Sequence, residues 1–396
     1  MEHTSVSISN QQLTSTQKRR SLRLKAVVGL LALAAVVATF AAFSYAPAAG
    51  GTDFDDTFDP SPCTQKDYDH FEKWIVKHEH HFSLQEKSAR FTRWCKHHLK
   101  IALHNSNDTH TYTLGHHKHS HHSLEEFIAA STGLAKQNDS TTKISLAASP
   151  IVTYPNTPLD VDWRIKGAVT AIKDQKQCGS CWAFAAITVL ESFYAIQGHI
   201  LSNFSQQYLV ECIQNYAWIN PDGTYYQGCS GGWSDWAIRY TIDNGGIPLL
   251  TDYPYTALNG KCYKSSVQLV KTEARIVTGV TTNSPASMVG AIAKGPITVY
   301  VSCPLTFFLY KGGIYNDWTF AVISHAVALV GYHLDTPTAV SGKIDLISYQ
   351  TDLSGYYILR NSWGQGWGEN GYMRVQISNN ASGIVNVQWQ GYSISA

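Results

Sequence analysis

The sequence lacks an excess of charge of either sign. Its 396 residues include 30 lysines and arginines against 29 aspartates and glutamates, so the formal net charge at pH 7 is +1. Such a balance gives no bulk attraction to nucleic acid or to acidic partners. We therefore expect no nucleic-acid binding. The length of the chain is sufficient for two or three compact units with full cores.

Two motifs lack the context that would give them a redox or a phosphate-binding role. Cys178 and Cys181 form a Cys-x-x-Cys, but no βαβ pattern of the thioredoxin kind surrounds them. The glycines within residues 364–371 are not flanked by a strand–loop–helix unit, so they indicate a structural loop.

Histidine is scarce after residue 150, where only His199, His325 and His333 occur.

The most informative stretch is residues 175–182, which read Gln-Lys-Gln-Cys-Gly-Ser-Cys-Trp. Ser180 is a good N-cap, and the apolar run that begins at Cys181 is closed by Gly198, which predicts a buried helix. The positive end of a helix lowers the pKa of a thiol, and only the thiolate is an effective nucleophile. Cys181 is therefore a candidate nucleophile, and a histidine to hold its proton must come from elsewhere in the fold.

The Cys-Gly-Ser-Cys-Trp string resembles the papain family of cysteine proteases. Ser-His-Ala-Val around His325 and the Asn-Ser-Trp-Gly that starts at Asn361 extend this resemblance, which covers the chain from about residue 67 to its end. It implies that Cys181 is the nucleophile, His325 the general base and Asn361 the residue that orients it. It further implies that Gln175 shares the oxyanion hole with the backbone N–H of Cys181, and that Trp363 shields the histidine–asparagine hydrogen bond.

The resemblance implies an α+β, papain-like fold. A helical left domain and a right domain built on an antiparallel β-barrel would enclose the cleft, with a helical propeptide added. The implied activity is that of a cysteine endopeptidase acting on proteins or peptides, made as a proenzyme and activated by acidic pH, with no metal or organic cofactor. The alternative is a non-catalytic papain-fold binding protein, which typically lacks the nucleophile or the base.

Residues 65–133 resemble the inhibitory propeptide of the cathepsin L-like branch. Tyr68, Phe71 and Trp74 form one helical face, and a second stripe steps by three or four residues. That stripe consists of Glu86, Arg90, Trp94, His97, Ile101 and Asn105. Only His97 departs from the family pattern, and Cys63 and Cys95 have no assigned family counterpart.

The next family motif keeps Gly115 but has His117, His119 and His121 at its other three positions, within the five histidines of residues 116–122. Such histidines are mostly neutral above pH 7 and gain charge in an acidic compartment. We hypothesise that their charging makes propeptide release depend on pH. The rival interpretations are a metal-binding tract and an inert, solvated loop.

Residues 134–156 are expected to be the propeptide tail, and residues 157–396 the mature peptidase. Strands are predicted at 297–302, 325–333, 356–360, 372–377 and 384–394. By resemblance, Cys178 pairs with Cys229 and Cys212 with Cys262, whereas the family's right-domain bridge is missing at both ends. Cys303 is then left over and is expected to be a buried thiol.

The resemblance places the second specificity pocket at Trp233, Ser234, Tyr300 and Ile323, with the backbone of Gly232 pairing to the peptide. Tyr300 stands where many relatives have a small residue, so we expect a narrow, apolar pocket that prefers modest aliphatic side chains. Core packing of Tyr300 is the competing interpretation. Two insertions are long: the one between Cys212 and Cys229 is expected to be a surface loop, and the one after His325 to lengthen a hairpin.

The N-terminus predicts entry into the secretory system. Residues 1–25 form a basic tail before an apolar segment at 26–46, which we interpret as a signal-anchor rather than a cleavable signal peptide. Residues 47–64 are expected to be a linker. The rest is expected to face the lumen, in a lysosome or vacuole or outside the cell, as a monomer that contacts the membrane through this segment. Four sequons begin at Asn107, Asn138, Asn203 and Asn380.

Overall fold

The described part of the chain is organised around one helix, Cys181–Ile196, whose residues 181–193 are all buried. A helix that is apolar on every side must lie inside a protein core. The structure is a computed structural model that describes residues 63–134, 157–213, 228–319, 321–335, 343–344, 353–379 and 382–396. All of these belong to one unit, Phe58–Ala396.

The segment before residue 135 contains three helices and a strand: α1 (Gln65–Lys77), α2 (Leu84–Asn105), β1 (Tyr112–Leu114) and α3 (Leu124–Ser131). Each helix begins at a polar cap. Thr64 and Asp67 form a capping box on α1, as Ser123 and Glu126 do on α3, and Ser83 accepts a hydrogen bond from the Glu86 N–H on α2. These caps satisfy backbone N–H groups that the first turn leaves without partners.

The two predicted faces of the propeptide helices are confirmed. Phe71 and Trp74 of α1 pack with Trp94 of α2 in a small aromatic core, which Tyr68 joins from its edge. Asn105, at the end of the second stripe, exchanges two hydrogen bonds of 2.9 Å with the backbone of Leu114. That exchange fixes β1 against α2.

The first half of the remaining chain is helical, as predicted. The Cys181–Ile196 helix (α4) packs with α5 (Gln206–Cys212) and α6 (Ser234–Asp243) around a core that includes Trp182, Leu190 and Tyr208. Helix α4 ends at Ile196, and Gly198 follows with a φ of +93°, a conformation that glycine adopts readily.

The second half contributes seven strands to a nine-stranded sheet around a separate large core, and β1 and a strand near residue 160 supply the other two. Two short helices, α7 (Pro285–Ile292) and α8 (Leu305–Phe308), lie between its strands along the chain. The remaining strands are β2 (Thr157–Pro158), β3 (Asp160–Asp162), β4 (Ile276–Val280), β5 (Ile297–Ser302), β6 (Tyr310–Tyr315), β7 (Ile323–Leu334), β8 (Lys343–Ile344), β9 (Gly355–Arg360), β10 (Tyr372–Gln376) and β11 (Gly391–Ser395). The sheet order is β1-β6-β10-β9-β7-β5-β11-β4, with β3 also paired to β7, and β2 pairs with β8 in a second sheet.

Two sequence expectations about this sheet need correction. The run 384–394 is a strand only at Gly391–Ser395, because Val385 and Asn386 have positive φ angles and a 3₁₀ turn occupies Ile384–Asn386. The sheet is also not purely antiparallel, since β6 and β10 pair in parallel. The antiparallel pairing of β7 with β9 places the insertion after His325 in the connection between these two strands, as expected.

Three disulfides are present. Cys178–Cys229 and Cys212–Cys262 match the pairs that the resemblance implied, and Cys303 is free and buried. The third pair, Cys63–Cys95, was not predicted and ties the end of the expected linker to α2. Residues 63 and 64 are therefore part of the folded segment, not of the linker.

Several predictions lie outside the described residues: the tail at 1–25, the apolar segment at 26–46, most of the linker, the propeptide tail at 135–156, Asn138, Asn380 and most of both insertions. Within the described ranges, none of the helices combines the length and the apolar character needed to cross a bilayer.

Candidate active site

Helix α4 places Cys181 at its first position, fully buried. Ser180 is the N-cap residue, but its hydroxyl does not cap the helix and lies 2.7 Å from the Tyr255 hydroxyl instead. The sulfur accepts a hydrogen bond from the Ala326 N–H at 3.4 Å. Burial raises the pKa of the Cys181 thiol to about 11, and backbone N–H groups, including that of Gly133, oppose this rise.

Strand β7 carries His325, and Asn361 follows directly after its neighbour β9. Their side chains meet at 2.8 Å, Nε2 of the imidazole to Oδ1 of the amide. The Trp363 ring stacks on the imidazole with 4.7 Å between ring centroids. Burial lowers the pKa of His325 to about 4, and the hydrogen bond to Asn361 only partly offsets this effect.

Of the two nitrogens of the His325 imidazole, Nε2 is hydrogen-bonded to Asn361 and Nδ1 is free to exchange a proton. Nδ1 of His325 has no hydrogen-bond partner among the described residues, while the backbone N–H of the following residue, Ala326, contacts the Cys181 sulfur. The structure therefore brings Cys181, His325, Asn361 and Trp363 into one buried group, as the sequence predicted. With both ionisable groups desolvated, the neutral thiol and the neutral imidazole are the favoured forms in this state.

Gln175 is held beside this group by contacts that fix its amide. Its Oε1 accepts a hydrogen bond from the Ser362 hydroxyl at 2.5 Å, and its Nε2 donates to the carbonyls of Cys178 at 2.8 Å and Ser131 at 3.0 Å. Ser362 was not singled out from the sequence, although it lies between Asn361 and Trp363 in the motif. Its contact orients the Nε2 of Gln175 toward the cleft.

The Ser131 carbonyl shows what fills the cleft in this structure. It belongs to the end of α3, and it accepts hydrogen bonds from Nε2 of Gln175 and, at 3.3 Å, from Nε1 of Trp363. Gly133 accepts a hydrogen bond from the Gly232 N–H at 2.8 Å, and Leu134 forms a parallel bridge with Gly232. The expected propeptide therefore lies directly across Cys181 and uses the cleft's own donors.

Close backbone contact makes this passage possible. A Cβ added to Gly133 would overlap the carbonyl group of Gly179, and one added to Gly179 would lie 2.6 Å from the Cys229 oxygen. Because these contacts are with backbone atoms, no side-chain rotation would relieve them. Only glycine at position 133 lets the segment approach the wall of the cleft this closely.

A second set of contacts holds the propeptide to the part of the molecule that contains the large sheet. The Phe127 ring lies 4.5 Å from Phe308 and 4.7 Å from Trp363, and the edge of the His117 ring meets Phe308 at 4.5 Å. Lys118 forms an ion pair with Asp174 at the rim. Strand β1 adds to the edge of β6 through an antiparallel pairing.

The histidine segment is packed, not solvated. His117, His119, His121 and His122 are each less than 9% exposed, which contradicts the interpretation of residues 116–122 as an inert loop in solvent. Burial lowers the pKa of all four, to about 2 for His121 and about 4 for His122. The rings packed against them include those of Phe127, Phe308 and neighbouring histidines.

Tyr300 is packed in the core, as the competing interpretation predicted. It is fully buried, its hydroxyl donates to Oδ1 of Asp235 at 3.0 Å and accepts from the Ser234 N–H at 3.1 Å, and its ring edge meets Trp233. Trp233 and Ile323, both partly buried, pack against the same core, as does Leu134 of the propeptide. Tyr300 is therefore a core residue in edge contact with Trp233.

This arrangement defines the proenzyme of a cysteine protease. Residues 157–391 match the family model described as papain family cysteine protease, and residues 71–127 match the model of the cathepsin propeptide inhibitor domain (I29). The chain therefore belongs to the papain family of cysteine proteases.

Individual relatives agree. Fruit bromelain of Ananas comosus is 30% identical over 327 residues, covering 80% of this chain and 83% of that protein. Cathepsin S of Mus musculus is 32% identical over 324 residues, covering 80% and 88%. Among solved structures, a recombinant stem bromelain precursor superposes with a TM-score of 0.69 at 32% identity, covering 83% of this chain and 99% of that one. The predicted fold class and the helical propeptide are confirmed.

Proposed function

We propose that Cys181, His325 and Asn361 form the catalytic triad of this thiol protease and that Gln175 is the oxyanion-hole side chain. The observation that carries the assignment is the hydrogen bond that Nε2 of Gln175 donates to the Ser131 carbonyl at 3.0 Å. This contact supports the proposal because it is a peptide oxygen that the Gln175 amide binds. Donors aimed at developing negative charge are a major source of catalysis in acyl transfer.

In the proposed reaction the Cys181 sulfur attacks the peptide carbonyl carbon after its proton has moved to Nδ1 of His325. The oxyanion that forms is stabilised by Nε2 of Gln175 and the N–H of Cys181. Its collapse expels the amine, which takes the proton from His325, and leaves a thioester that water hydrolyses with His325 as base. Asn361, held at 2.8 Å, fixes the ring's orientation without adding charge.

Inhibition by the propeptide follows from the same contacts. With Ser131, Gly133 and Leu134 seated, no substrate can reach Gln175 or pair with Gly232. Removal of the segment would rehydrate the cleft, and the desolvation that now holds Cys181 and His325 neutral would fall. The mature enzyme would begin near Thr157, the first residue of the described peptidase part.

The seated propeptide also supports the expected substrate preference. Leu134, Trp233 and Ile323 all pack against the core cluster that contains the fully buried Tyr300, and the Leu134 N–H donates to the carbonyl of Ser324, the residue after Ile323, at 3.1 Å. A leucine-sized side chain therefore suits this pocket, and an aromatic one would meet the Tyr300 ring. We expect aliphatic residues at the second position before the cut to be preferred over phenylalanine and tyrosine.

The cellular setting is proposed from sequence alone. Residues 26–46 would anchor the proenzyme in a membrane, with residues 1–25 in the cytosol, or would be removed as a signal peptide; the amino-terminal sequence of the secreted or membrane fraction separates these outcomes. The luminal part would act as a monomer in a lysosome, a vacuole or outside the cell. Glycosylation is proposed at Asn107, Asn138, Asn203 and Asn380, and a peptide:N-glycosidase mass shift would test each sequon.

The deciding experiment uses the full chain, incubated from neutral to acidic pH and assayed with short fluorogenic peptides, with intact masses recorded. We expect acid-dependent loss of the segment up to about residue 156, together with peptide cleavage. Cys181→Ala should abolish cleavage, whereas Cys303→Ala, which removes the other free thiol, should retain it. A folded protein with neither processing nor activity at any pH would instead support the non-catalytic binding protein.

A further inference from the structure

Three metal-binding side chains converge at the start of the propeptide, far from the cleft in sequence. Asp67 and His70 lie one turn apart on α1, and His98 faces them from α2. One ligand atom of each lies within 4.8 Å of the other two, the only such group of histidine, cysteine and acidic side chains in the described ranges. Residues three apart on a helix share a face, so the spacing itself places Asp67 and His70 together.

The His98 ring is held in place from behind. It stacks on Trp94 with 4.8 Å between centroids and an interplanar angle of 10°, and Trp94 stacks in turn on His116 at 4.1 Å. Nδ1 of His98 lies 3.2 Å from Nε2 of His116, while Nε2 of His98 lies 3.5 Å from Oδ1 of Asp67. One nitrogen of His98 therefore faces the acidic group, and the other can donate to His116.

Asp67 divides its two oxygens between a structural contact and this group. Oδ2 accepts hydrogen bonds from the backbone N–H and the hydroxyl of Thr64, at 2.8 and 2.7 Å. Oδ1 is the oxygen nearest His98. Helix capping thus fixes the carboxylate and leaves one oxygen for a ligand.

We propose that Asp67, His70 and His98 bind one zinc-class divalent transition metal ion, with His116 orienting His98 through its ring nitrogen. Two imidazoles and one carboxylate suit zinc, copper or nickel, whereas calcium and magnesium prefer all-oxygen ligands. Three protein ligands leave a fourth position for water. A hydrogen-bond acceptor behind a metal-bound histidine is the arrangement that such sites commonly use.

The ion would join α1 to α2 at the end of the propeptide that the Cys63–Cys95 disulfide already closes. It lies outside the catalytic group, so its role would be to stabilise the inhibitory segment. Binding to the folded segment alone raises its stability by mass action. The site is independent of the proposed catalytic residues, and its test does not require activity.

The test uses the full-length proenzyme with Cys181→Ala, which prevents self-processing, without an affinity tag and at pH 7.5. Zinc binding is measured by calorimetry and by the metal content of desalted protein, and thermal unfolding is recorded with and without zinc. The variants are His70→Gln and His98→Gln. His81→Gln is the matched control, because His81 is an exposed histidine between the same two helices.

We expect one zinc ion per chain and a higher unfolding midpoint with zinc. His70→Gln and His98→Gln should lose both effects, His116→Phe should weaken binding by about 10- to 100-fold, and His81→Gln should match the parent. His70 is only partly buried and makes an edge contact with the His98 ring alone among the aromatic contacts of the described residues, so its variant remains informative even if His98→Gln unfolds. Absence of bound zinc in the parent, or zinc retained equally by His70→Gln, would overturn the proposal.

Discussion

Replacing the four buried histidines at 117, 119, 121 and 122 by glutamine should make propeptide opening less dependent on pH. In the folded state burial lowers their pKa, while in an opened segment each returns toward its ordinary value of about 6.5. Below pH 6.5 the opened state therefore binds more protons, and stability falls as pH falls. For His122 this loss of stability ends near pH 4, because the folded state also takes up its proton there.

The surroundings offer these histidines little compensation for a charge. The charged groups that face them are Lys118, Arg90 and Arg93, with Glu126 as the acidic one, and histidines 78 and 80 lie beside them. Glu126 is already paired with Arg90 and Arg93, each at 3.1 Å. Protonation would thus add positive charge to a site that is already positive.

The magnitude is large enough to matter. A histidine whose pKa falls from about 6.5 to about 4 on folding loses about 2 kcal/mol of stabilisation between pH 7 and pH 5. His121 and His122, whose folded-state pKa values are about 2 and about 4, together give about 4 kcal/mol, compared with about 5–15 kcal/mol for the whole stability of a typical domain. The lowered pKa values of His117 and His119 act in the same direction. Acidification to pH 5 would then remove a large part of the stability that keeps the segment folded.

The assay follows opening of the Cys181→Ala proenzyme by its susceptibility to an added protease at several pH values between 7.5 and 4.5. The slope of opening free energy against pH gives the protons taken up. We expect the fourfold glutamine variant to take up about four fewer protons than the parent near pH 5, and His81→Gln to behave like the parent. Glutamine also alters packing, but that effect shifts stability at every pH and leaves the slope unchanged. An unaltered slope in the fourfold variant would refute the switch.

Three further predictions concern the cleft and the propeptide. Alkylation of Cys181 at pH 7 should be at least about 10³-fold faster after propeptide removal, because a thiol pKa of about 11 leaves about 10⁻⁴ as thiolate; equal rates in the two forms, measured by mass spectrometry, would contradict the buried neutral thiol. Gly133→Ala should weaken propeptide docking by about 1–3 kcal/mol and speed activation accordingly, whereas Gly366→Ala, where an added Cβ meets nothing within 4 Å, should not. Replacing Cys63 and Cys95 together by serine should lower the unfolding free energy of the inhibitory segment by about 3–4 kcal/mol, given their separation of 32 residues; unchanged urea unfolding would count against it.

The sequence was most informative where function and local structure depend on the same residues. Cys181 could be assigned to a helix start because its apolar run and Gly198 define that helix. His325 and Asn361 could be paired only through family resemblance, since they are 36 residues apart and meet because β7 and β9 are neighbours. Spacing alone does not report which strands pair.

The failures have a common physical cause, which is that burial depends on tertiary contacts. A run of five polar histidines indicates solvent exposure, yet Phe308 and Phe127 cover His117. Cys63 and Cys95 gave no signal of pairing because their separation permits many partners. The strand predicted across 384–394 failed because its apolar residues are buried in a turn whose positive φ angles a pattern of hydrophobicity does not register.

The propeptide contacts the two sides of the candidate active site through different peptide groups. The carbonyl that accepts from Gln175 belongs to Ser131, whereas the propeptide N–H that lowers the pKa of the Cys181 thiol is that of Gly133, two residues later. In a substrate, the carbonyl in the oxyanion hole and the carbon facing the sulfur are the same peptide group, because attack creates the charge that the hole stabilises. Here the carbonyl at Gln175 and the N–H that acts on the thiol belong to different peptides, and Leu134 pairs in parallel with Gly232. The propeptide therefore occupies the donors of the site in an arrangement that differs from the one that attack requires.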